Sequence, residues 1–162
     1  MDVALWARET SRARAAADGW NVAASREQFF ETSDVVSLHL RLVPETRGIV
    51  TADDLARMKG DAVLVNTSRA GLVQPGVLHS ALESGRPGMA AIDVFDIEPF
   101  TQSAHPLVAH ANVIATPHLG YVTIEEWELQ FADVFDQINA FAAGAPVNVV
   151  NPGALAGDKQ RG

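Results

Sequence analysis

Short runs of apolar residues alternate along the chain with segments of helical period. Runs of about four to eight aliphatic, often β-branched residues predict buried strands. The predicted strands are 3–7, 35–40, 62–66, 89–95 and 112–116, with a shorter one at 20–24. The predicted helices between them are 10–18, a turn that starts at 25, 51–58 and 74–84. Strands joined by helical connections favour parallel pairing, so the pattern predicts an α/β fold with a Rossmann-like, doubly wound parallel sheet.

A longer helix is predicted after the last strand, over 122–143. Its apolar side chains recur close to the helical period of about 3.6 residues. They are Ile124, Trp127, Phe131, Val134, Phe135, Ile138 and Phe141. The end of the chain differs, because 153–162 is rich in glycine, alanine and charge. We therefore expect one domain over 1–152 and a disordered tail over 153–162.

Composition narrows the classes of function. The formal net charge of −8 argues against nucleic acid and anionic membranes as partners, since phosphates are bound by clustered lysine and arginine. The lack of cysteine excludes disulfides, thiolate catalysis and cysteine-ligated zinc, and we predict no metal site. No apolar run reaches the roughly 20 residues of a membrane span. The short acidic N-terminus is unlike a signal peptide, so we expect a cytoplasmic protein.

Polar residues directly after the strands are the candidate site residues, because sheets of this kind bind ligands at the carboxyl ends of their strands. Arg69 follows the strand at 62–66. Its planar guanidinium can bind a carboxylate through two parallel hydrogen bonds. From position alone, a solvated loop arginine is an equal alternative.

Two further candidates follow the next two strands. Glu98 precedes Pro99, which favours an extended backbone, and a solvated acidic loop is the favoured alternative for Glu98 alone. His118 follows the strand at 112–116 in a tight loop, and histidine transfers protons near neutral pH. A structural loop histidine is the equal alternative there. Together the three candidates would orient a carboxylate substrate, transfer a proton and hold the imidazole protonated.

Four segments of the chain resemble the D-isomer-specific 2-hydroxyacid dehydrogenases. This family includes phosphoglycerate and D-lactate dehydrogenases and glyoxylate/hydroxypyruvate reductases. The segments are VSLHL at 36–40 with ETRG at 45–48, LVNTSR at 64–69, IDVFDIEP at 92–99 and TPHLG at 116–120. Each segment alone is a weak signal, but four in matching order and spacing, over about 3–152, are specific.

The resemblance implies a role for each candidate. Arg69 would bind the carboxylate and keto oxygen of the substrate, and His118 would protonate the carbonyl oxygen as hydride arrives. Glu98 would raise the basicity of His118. Formate dehydrogenases of the same superfamily lack this glutamate, so the resemblance points to a 2-oxoacid or 2-hydroxyacid substrate. It also places four residues against the cofactor: Leu40, Thr67, Asp93 (near the nicotinamide) and Gly120.

One departure from the family concerns the adenosine ribose. NAD-dependent members carry an aspartate just after the second strand of the fold, where it binds the ribose. Trp6, Ala7 and Arg8 stand in that place here. Ala7 cannot bind a ribose diol, whereas Arg8 could pair with a 2′-phosphate. We therefore favour NADP over NAD, and NAD is the alternative if Arg8 only faces solvent.

The Gly-x-Gly-x-x-Gly phosphate loop of the family does not occur in the sequence. We expect the first βα unit and the substrate domain to be missing, so that 1–152 is a partial NAD(P)-binding domain with an incomplete sheet. In the strand order 3-2-1-4-5-6 the lost strand is the central one. The strands at 3–7 and 35–40 must then pair directly, leave a gap or borrow a strand. An open edge would invite association.

The predicted function is an NAD(P)-dependent oxidoreductase module that reduces a small 2-oxoacid, such as glyoxylate or hydroxypyruvate, to a D-2-hydroxyacid, or the reverse. We expect it to be inactive as an isolated chain. The alternative is a non-catalytic remnant that associates with another polypeptide. A Rossmann-like methyltransferase explains none of the four segments. The expected partners are the small substrate and, as in relatives of this family, a second copy in a homodimer.

Overall fold

The computed structural model describes residues 1–101 and 104–156. Its helices are α1 (Glu9–Ala17), α2 (Arg26–Thr32), α3 (Ala52–Arg57), α4 (Val77–Glu83), α5 (Pro106–Ala109), α6 (Ile124–Ala142) and α7 (Gly153–Ala156). Its strands are β1 (Val35–Leu38), β2 (Val63–Asn66), β3 (Met89–Ile92) and β4 (Val113–Ala115). The chain divides into two compact units, Met1–Gly120 and Tyr121–Gly162.

The first unit is built on one parallel sheet. Its strand order is β1-β2-β3-β4, and Val36, Leu64, Ala90 and Val113 lie side by side in register. Each strand reaches its neighbour through one helix, α3, α4 or α5 in turn. Right-handed crossovers that all run in one direction place their helices on the same face of the sheet. The predicted parallel, Rossmann-like α/β fold is confirmed.

The hydrophobic core lies on the face of the sheet that these helices cover. Val36, Leu64 and Ala90 of the strands and Leu55 and Leu82 of the helices are all buried. These side chains belong to one core cluster because alternate strand residues point to the same face.

The opposite face of the sheet remains largely open. Val35, Met89 and Ile114 are exposed by 56%, 43% and 71%. The described part of the sheet therefore has helices packed on one face and apolar side chains exposed on the other.

The N-terminal segment is less regular than the two strands predicted at 3–7 and 20–24. A single parallel bridge joins Leu5 to Val22. The Leu5 N–H donates to Asn21 O at 2.9 Å, and the Ala23 N–H donates to Leu5 O at 3.1 Å. Within the described residues, no backbone hydrogen bond joins this pair to β1. The segments predicted as strands at 3–7 and 35–40 therefore do not pair directly in the described part of the chain, and β1 is the end strand of the four-stranded sheet.

Several boundaries differ from the prediction. β3 ends at Ile92 rather than at 95, and α4 begins at Val77 rather than at 74 because Gly76 has a left-handed backbone (φ 76°). The helix α5 was not predicted. A helical turn, α7, occupies the start of the tail that was expected to be disordered. The rest of that tail, 157–162, lies outside the described residues.

The second unit contains the predicted long helix. α6 begins after Thr123, whose side chain accepts the Glu126 N–H, and it runs for 19 residues. No helix in 1–101 or 104–156 combines the length and apolar character needed to cross a membrane.

A partly buried ion pair links α2 to α3. Asp54, at 5% exposure, accepts hydrogen bonds from Arg26 Nη2 at 2.6 Å and Arg26 Nε at 2.7 Å. The N–H and hydroxyl of Thr51 also donate to its carboxylate, each at 2.7 Å. Burial alone raises the pKa of Asp54, but these hydrogen bonds outweigh it and leave that pKa below its ordinary value.

We expect Asp54→Asn to lower the free energy of unfolding by about 2 kcal/mol at pH 7, since Arg26 loses its charged partner. A carboxylate with a lowered pKa stabilises the fold above its unfolded pKa of about 3.9, and this contribution disappears as pH falls through the folded value. The difference between the two proteins should therefore shrink below about pH 4. Urea unfolding of both proteins, at pH 7 and below about pH 4, measures this difference in the free energy of unfolding. Asp53→Asn is the matched control, and an equal loss in that variant would contradict the assignment to the ion pair.

Candidate active site

The predicted catalytic residues lie on three neighbouring loops. Arg69 follows β2, Glu98 follows β3 and His118 follows β4. Because the three strands are parallel and adjacent, their carboxyl ends meet at one edge of the sheet. The sequence therefore folds so that these loops share one surface of the first unit.

Glu98 and His118 are in direct contact. Nδ1 of His118 lies 2.8 Å from Oε2 of Glu98, and the Phe95 N–H donates to Oε1 of Glu98 at 3.0 Å. The pKa of Glu98 lies below its ordinary value. The largest cause is the hydrogen bond from the Phe95 N–H, followed by the hydrogen bond with His118, and the positive charge of Arg69 lowers it as well. An ionised carboxylate only accepts hydrogen bonds, so Nδ1 carries the proton in this contact. Nε2 is then the ring nitrogen that can exchange a proton with a substrate.

His118 has an unusual backbone for a residue other than glycine. Its φ of 55° lies in the left-handed region, which costs an ordinary L-residue about 1 kcal/mol. Its N–H donates to Thr116 O at 3.0 Å, and its side chain is 29% exposed. The loop is thus held in a conformation that must be stabilised by its surroundings.

Asp93 supplies much of that stabilisation. Its side chain is buried, with 4% exposure for the residue. The Leu119 N–H donates to Oδ1 at 3.0 Å and the Gly120 N–H to Oδ2 at 2.9 Å, while the Thr116 hydroxyl also donates to Oδ1. Burial raises the pKa of Asp93, but these hydrogen bonds bring it below its ordinary value. An ionised carboxylate therefore joins the end of β3 to the loop that carries His118.

The Arg69 loop is held by a residue to which the sequence analysis assigned no role. Asn66, with 3% exposure, donates from Nδ2 to Arg69 O at 2.9 Å and accepts the Ser68 N–H at 3.1 Å. The signal for it was a polar side chain at the end of an otherwise apolar strand. Arg69 itself is exposed, and its Nη1 donates to Ser68 O at 2.6 Å.

The residues predicted to contact the cofactor lie at the same edge or at the end of the N-terminal bridge. Leu40 is half-buried and its carbonyl accepts the Ser68 hydroxyl at 2.8 Å, and Thr67 is exposed directly after β2. Gly120 binds Asp93 through its N–H. Arg8 is exposed at the N-cap of α1. The apolar side chain of Leu40, the hydroxyl of Thr67 and the exposed cation of Arg8 are group types that suit a dinucleotide, which is part apolar and part anionic. These contacts remain predictions.

The match to known proteins decides the family. The sequence pattern of the D-isomer specific 2-hydroxyacid dehydrogenase, NAD binding domain, covers residues 1–120. The chain belongs to this family. Proteins of this family are oxidoreductases. Membership explains why the four segments between residues 36 and 120 occur in this order.

Individual proteins similar to this chain are consistent with this family. The glyoxylate reductase of Aeropyrum pernix is 40% identical over 128 residues, which are 78% of this chain and 38% of that protein. A Ralstonia solanacearum crystal structure, described as a D-3-phosphoglycerate dehydrogenase, is 52% identical with a TM-score of 0.84 and covers 96% of this chain and 45% of the other. A Xanthobacter autotrophicus D-isomer specific 2-hydroxyacid dehydrogenase in complex with NADPH and MES is 33% identical with a TM-score of 0.61, over 81% of this chain and 54% of the other.

The chain is short relative to these proteins. It spans between 25% and 40% of the length of the first curated relatives that it matches.

Proposed function

We propose that this chain forms the cofactor-side part of an NADP-preferring enzyme that reduces a small 2-oxoacid to a D-2-hydroxyacid. The observation that carries the proposal is the contact of 2.8 Å between Glu98 and His118 at the edge of the sheet. The cation Arg69 follows the neighbouring strand and influences the same carboxylate electrostatically. A proton carrier, its counter-ion and a carboxylate-binding cation are the groups that this reaction needs.

The chemistry divides among these groups. A reduced nicotinamide held by the predicted cofactor-binding residues would supply the hydride for C2 of the 2-oxoacid. Arg69 binds the substrate carboxylate and so fixes how the carbonyl lies. His118 gives the proton on Nε2 to the carbonyl oxygen, which completes the hydroxyl group of the product. Glu98 accepts a hydrogen bond from Nδ1–H and so stabilises the imidazolium before the transfer. In the reverse direction His118 takes the hydroxyl proton back.

The choice of NADP rests on Arg8. Its side chain is exposed at the start of α1, where a cation can pair with a 2′-phosphate. The NADPH complex of the Xanthobacter relative supports this preference. The glyoxylate reductase from Aeropyrum supports a small 2-oxoacid as substrate.

A chimaera provides the assay for these proposals. Residues 1–156 replace the matching segment of the Ralstonia relative, which supplies the remainder of the fold, and the unmodified relative is assayed in parallel. In this protein we expect Arg8→Ala to raise KM for NADPH about tenfold, as loss of one charged hydrogen bond implies. KM for NADH should stay the same. Arg14→Ala on the same helix is the control, and equal changes for both cofactors would refute the role of Arg8.

We expect the isolated chain to show no turnover. The side chains of Glu98 and His118 are 33% and 29% exposed, and water weakens the electrostatics of such a pair. The test is the loss of NADPH absorbance with glyoxylate or hydroxypyruvate, with NADH in parallel. Steady turnover that disappears in His118→Ala would show that residues 1–162 suffice.

A second candidate is a non-catalytic module that associates with another polypeptide. The open edge of β1 and the exposed Val35 favour it, since unpaired strands tend to associate. It becomes the preferred function if the chimaera is folded but inactive while the chain alone forms a defined assembly in sedimentation velocity.

A further inference from the structure

We propose that Asp93 is a positioning residue, whose buried carboxylate holds the loop 116–120 so that His118 reaches Glu98. The inference rests on the proposed function for its catalytic meaning. Besides the predicted contact with the cofactor, Asp93 has a separate role here: its side chain fixes the position of the loop that carries His118.

Asp93 is itself rigidly held. Its own N–H donates to Asn66 O at 3.0 Å, which continues the pairing of β2 with β3. On the other side of it, the Thr116 N–H donates to Ile92 O at 2.9 Å. The carboxylate therefore projects from the edge of the sheet at a fixed point, next to the start of the loop.

The carboxylate clamps both ends of this loop. The Thr116 hydroxyl binds it before His118, and the N–H groups of Leu119 and Gly120 bind it after His118. Between these contacts the chain must reverse within a few residues, and His118 does so by adopting its φ of 55°. The three hydrogen bonds offset the cost of this left-handed conformation.

A neutral amide cannot replace this carboxylate. The two oxygens of Asp93 accept backbone N–H groups on both sides, Leu119 on Oδ1 and Gly120 on Oδ2. In Asp93→Asn one of these positions becomes an NH₂ group, which would face an N–H donor. The approach at Gly120 is close, because a Cβ there would lie 3.0 Å from Oδ2. The loop would therefore have to move away.

The experiment uses the 15N-labelled 162-residue chain and measures amide hydrogen exchange together with the ring nitrogens of His118. In Asp93→Asn we expect the Leu119 and Gly120 amides to exchange at least about tenfold faster. The His118 ring should change from one tautomer, with the proton on Nδ1, to a mixture, because Glu98 no longer accepts a hydrogen bond from Nδ1–H. Asp96→Asn, an exposed aspartate on the same loop as Glu98, should leave both signals as they are.

Loss of spectral dispersion in Asp93→Asn would mean that the variant is unfolded, and Thr116→Val then decides. This change removes one donor and keeps the carboxylate. It should accelerate exchange at Leu119, because the start of the loop is then no longer bound to the carboxylate that holds its end. Unchanged exchange and an unchanged His118 tautomer in a folded Asp93→Asn would overturn the inference. When Thr116→Val decides, unchanged exchange at Leu119 would overturn it. Neither readout needs turnover, so failure of the proposed function, seen as full activity of His118→Ala in the chimaera, is a separate result.

Discussion

Replacing His118 with alanine in the chimaera should lower kcat by about 10³-fold, since general acid–base catalysis contributes roughly 10²–10⁴. Without the imidazole, the carbonyl oxygen must take its proton from water while hydride arrives. The Glu98 carboxylate would also lose the hydrogen bond from Nδ1–H, whose nitrogen lies 2.8 Å from Oε2 in the structure. The loss should fall on kcat because the imidazole acts in the transition state rather than in binding of the ground state.

Initial rates of NADPH oxidation over a range of 2-oxoacid concentrations measure this effect. The matched control is His79→Ala on α4, a histidine outside the loops that carry the three candidates. If kcat of His118→Ala equals that of the unchanged chimaera, the assignment of the acid–base role is wrong. If the control loses as much activity, the effect belongs to stability and not to proton transfer.

Replacing Arg69 with lysine should reduce kcat/KM for the 2-oxoacid by about 10²-fold, mostly through KM. Lysine keeps the positive charge but binds a carboxylate from one point, so it loses the two parallel hydrogen bonds of the guanidinium. Arg69 has an extended backbone (φ −150°, ψ 136°), which Asn66 holds through the Arg69 carbonyl. Movement of the loop therefore cannot easily compensate for a change in the length of the side chain at position 69.

Steady-state kinetics with the 2-oxoacid as the varied substrate checks the Arg69 prediction. Arg57→Lys serves as the control, because that arginine is exposed on α3 and pairs with Glu31 at 2.6 Å. An Arg69→Lys chimaera with unchanged KM would exclude Arg69 as the carboxylate-binding group. An increase of KM for NADPH instead would place Arg69 at the cofactor.

The two substitutions separate binding from chemistry. His118→Ala is expected to act on kcat and Arg69→Lys on KM, and the difference follows from when each group interacts with the substrate. The same pattern in both variants would indicate that the loops after β2 and β4 move together. Their shared support, through Asn66 and Asp93 at the ends of adjacent strands, gives that outcome a structural basis.

The runs of apolar residues and the helical periods between them determined most of the fold. β1, β2, β3 and β4 lie within their predicted ranges, and so does α6. Burial of one face imposes a period of two on strands and about 3.6 on helices, and both periods are local properties of the sequence. The edges of elements were less predictable. The end of β3 depends on how Asp93 turns towards a distant loop, and no local pattern contains that information.

The sequence by itself also determined which side chains could form the site. Arg69, Glu98 and His118 follow three successive strands, and parallel pairing brings such positions to one edge. Only the tertiary structure decided that Glu98 and His118 touch, that Asn66 and Asp93 support the loops, and that His118 is left-handed. It also decided that the N-terminal bridge stands apart from β1. These features depend on hydrogen bonds between residues that are distant in sequence or on loop geometry, and loops follow the contacts available to them rather than a repeating pattern.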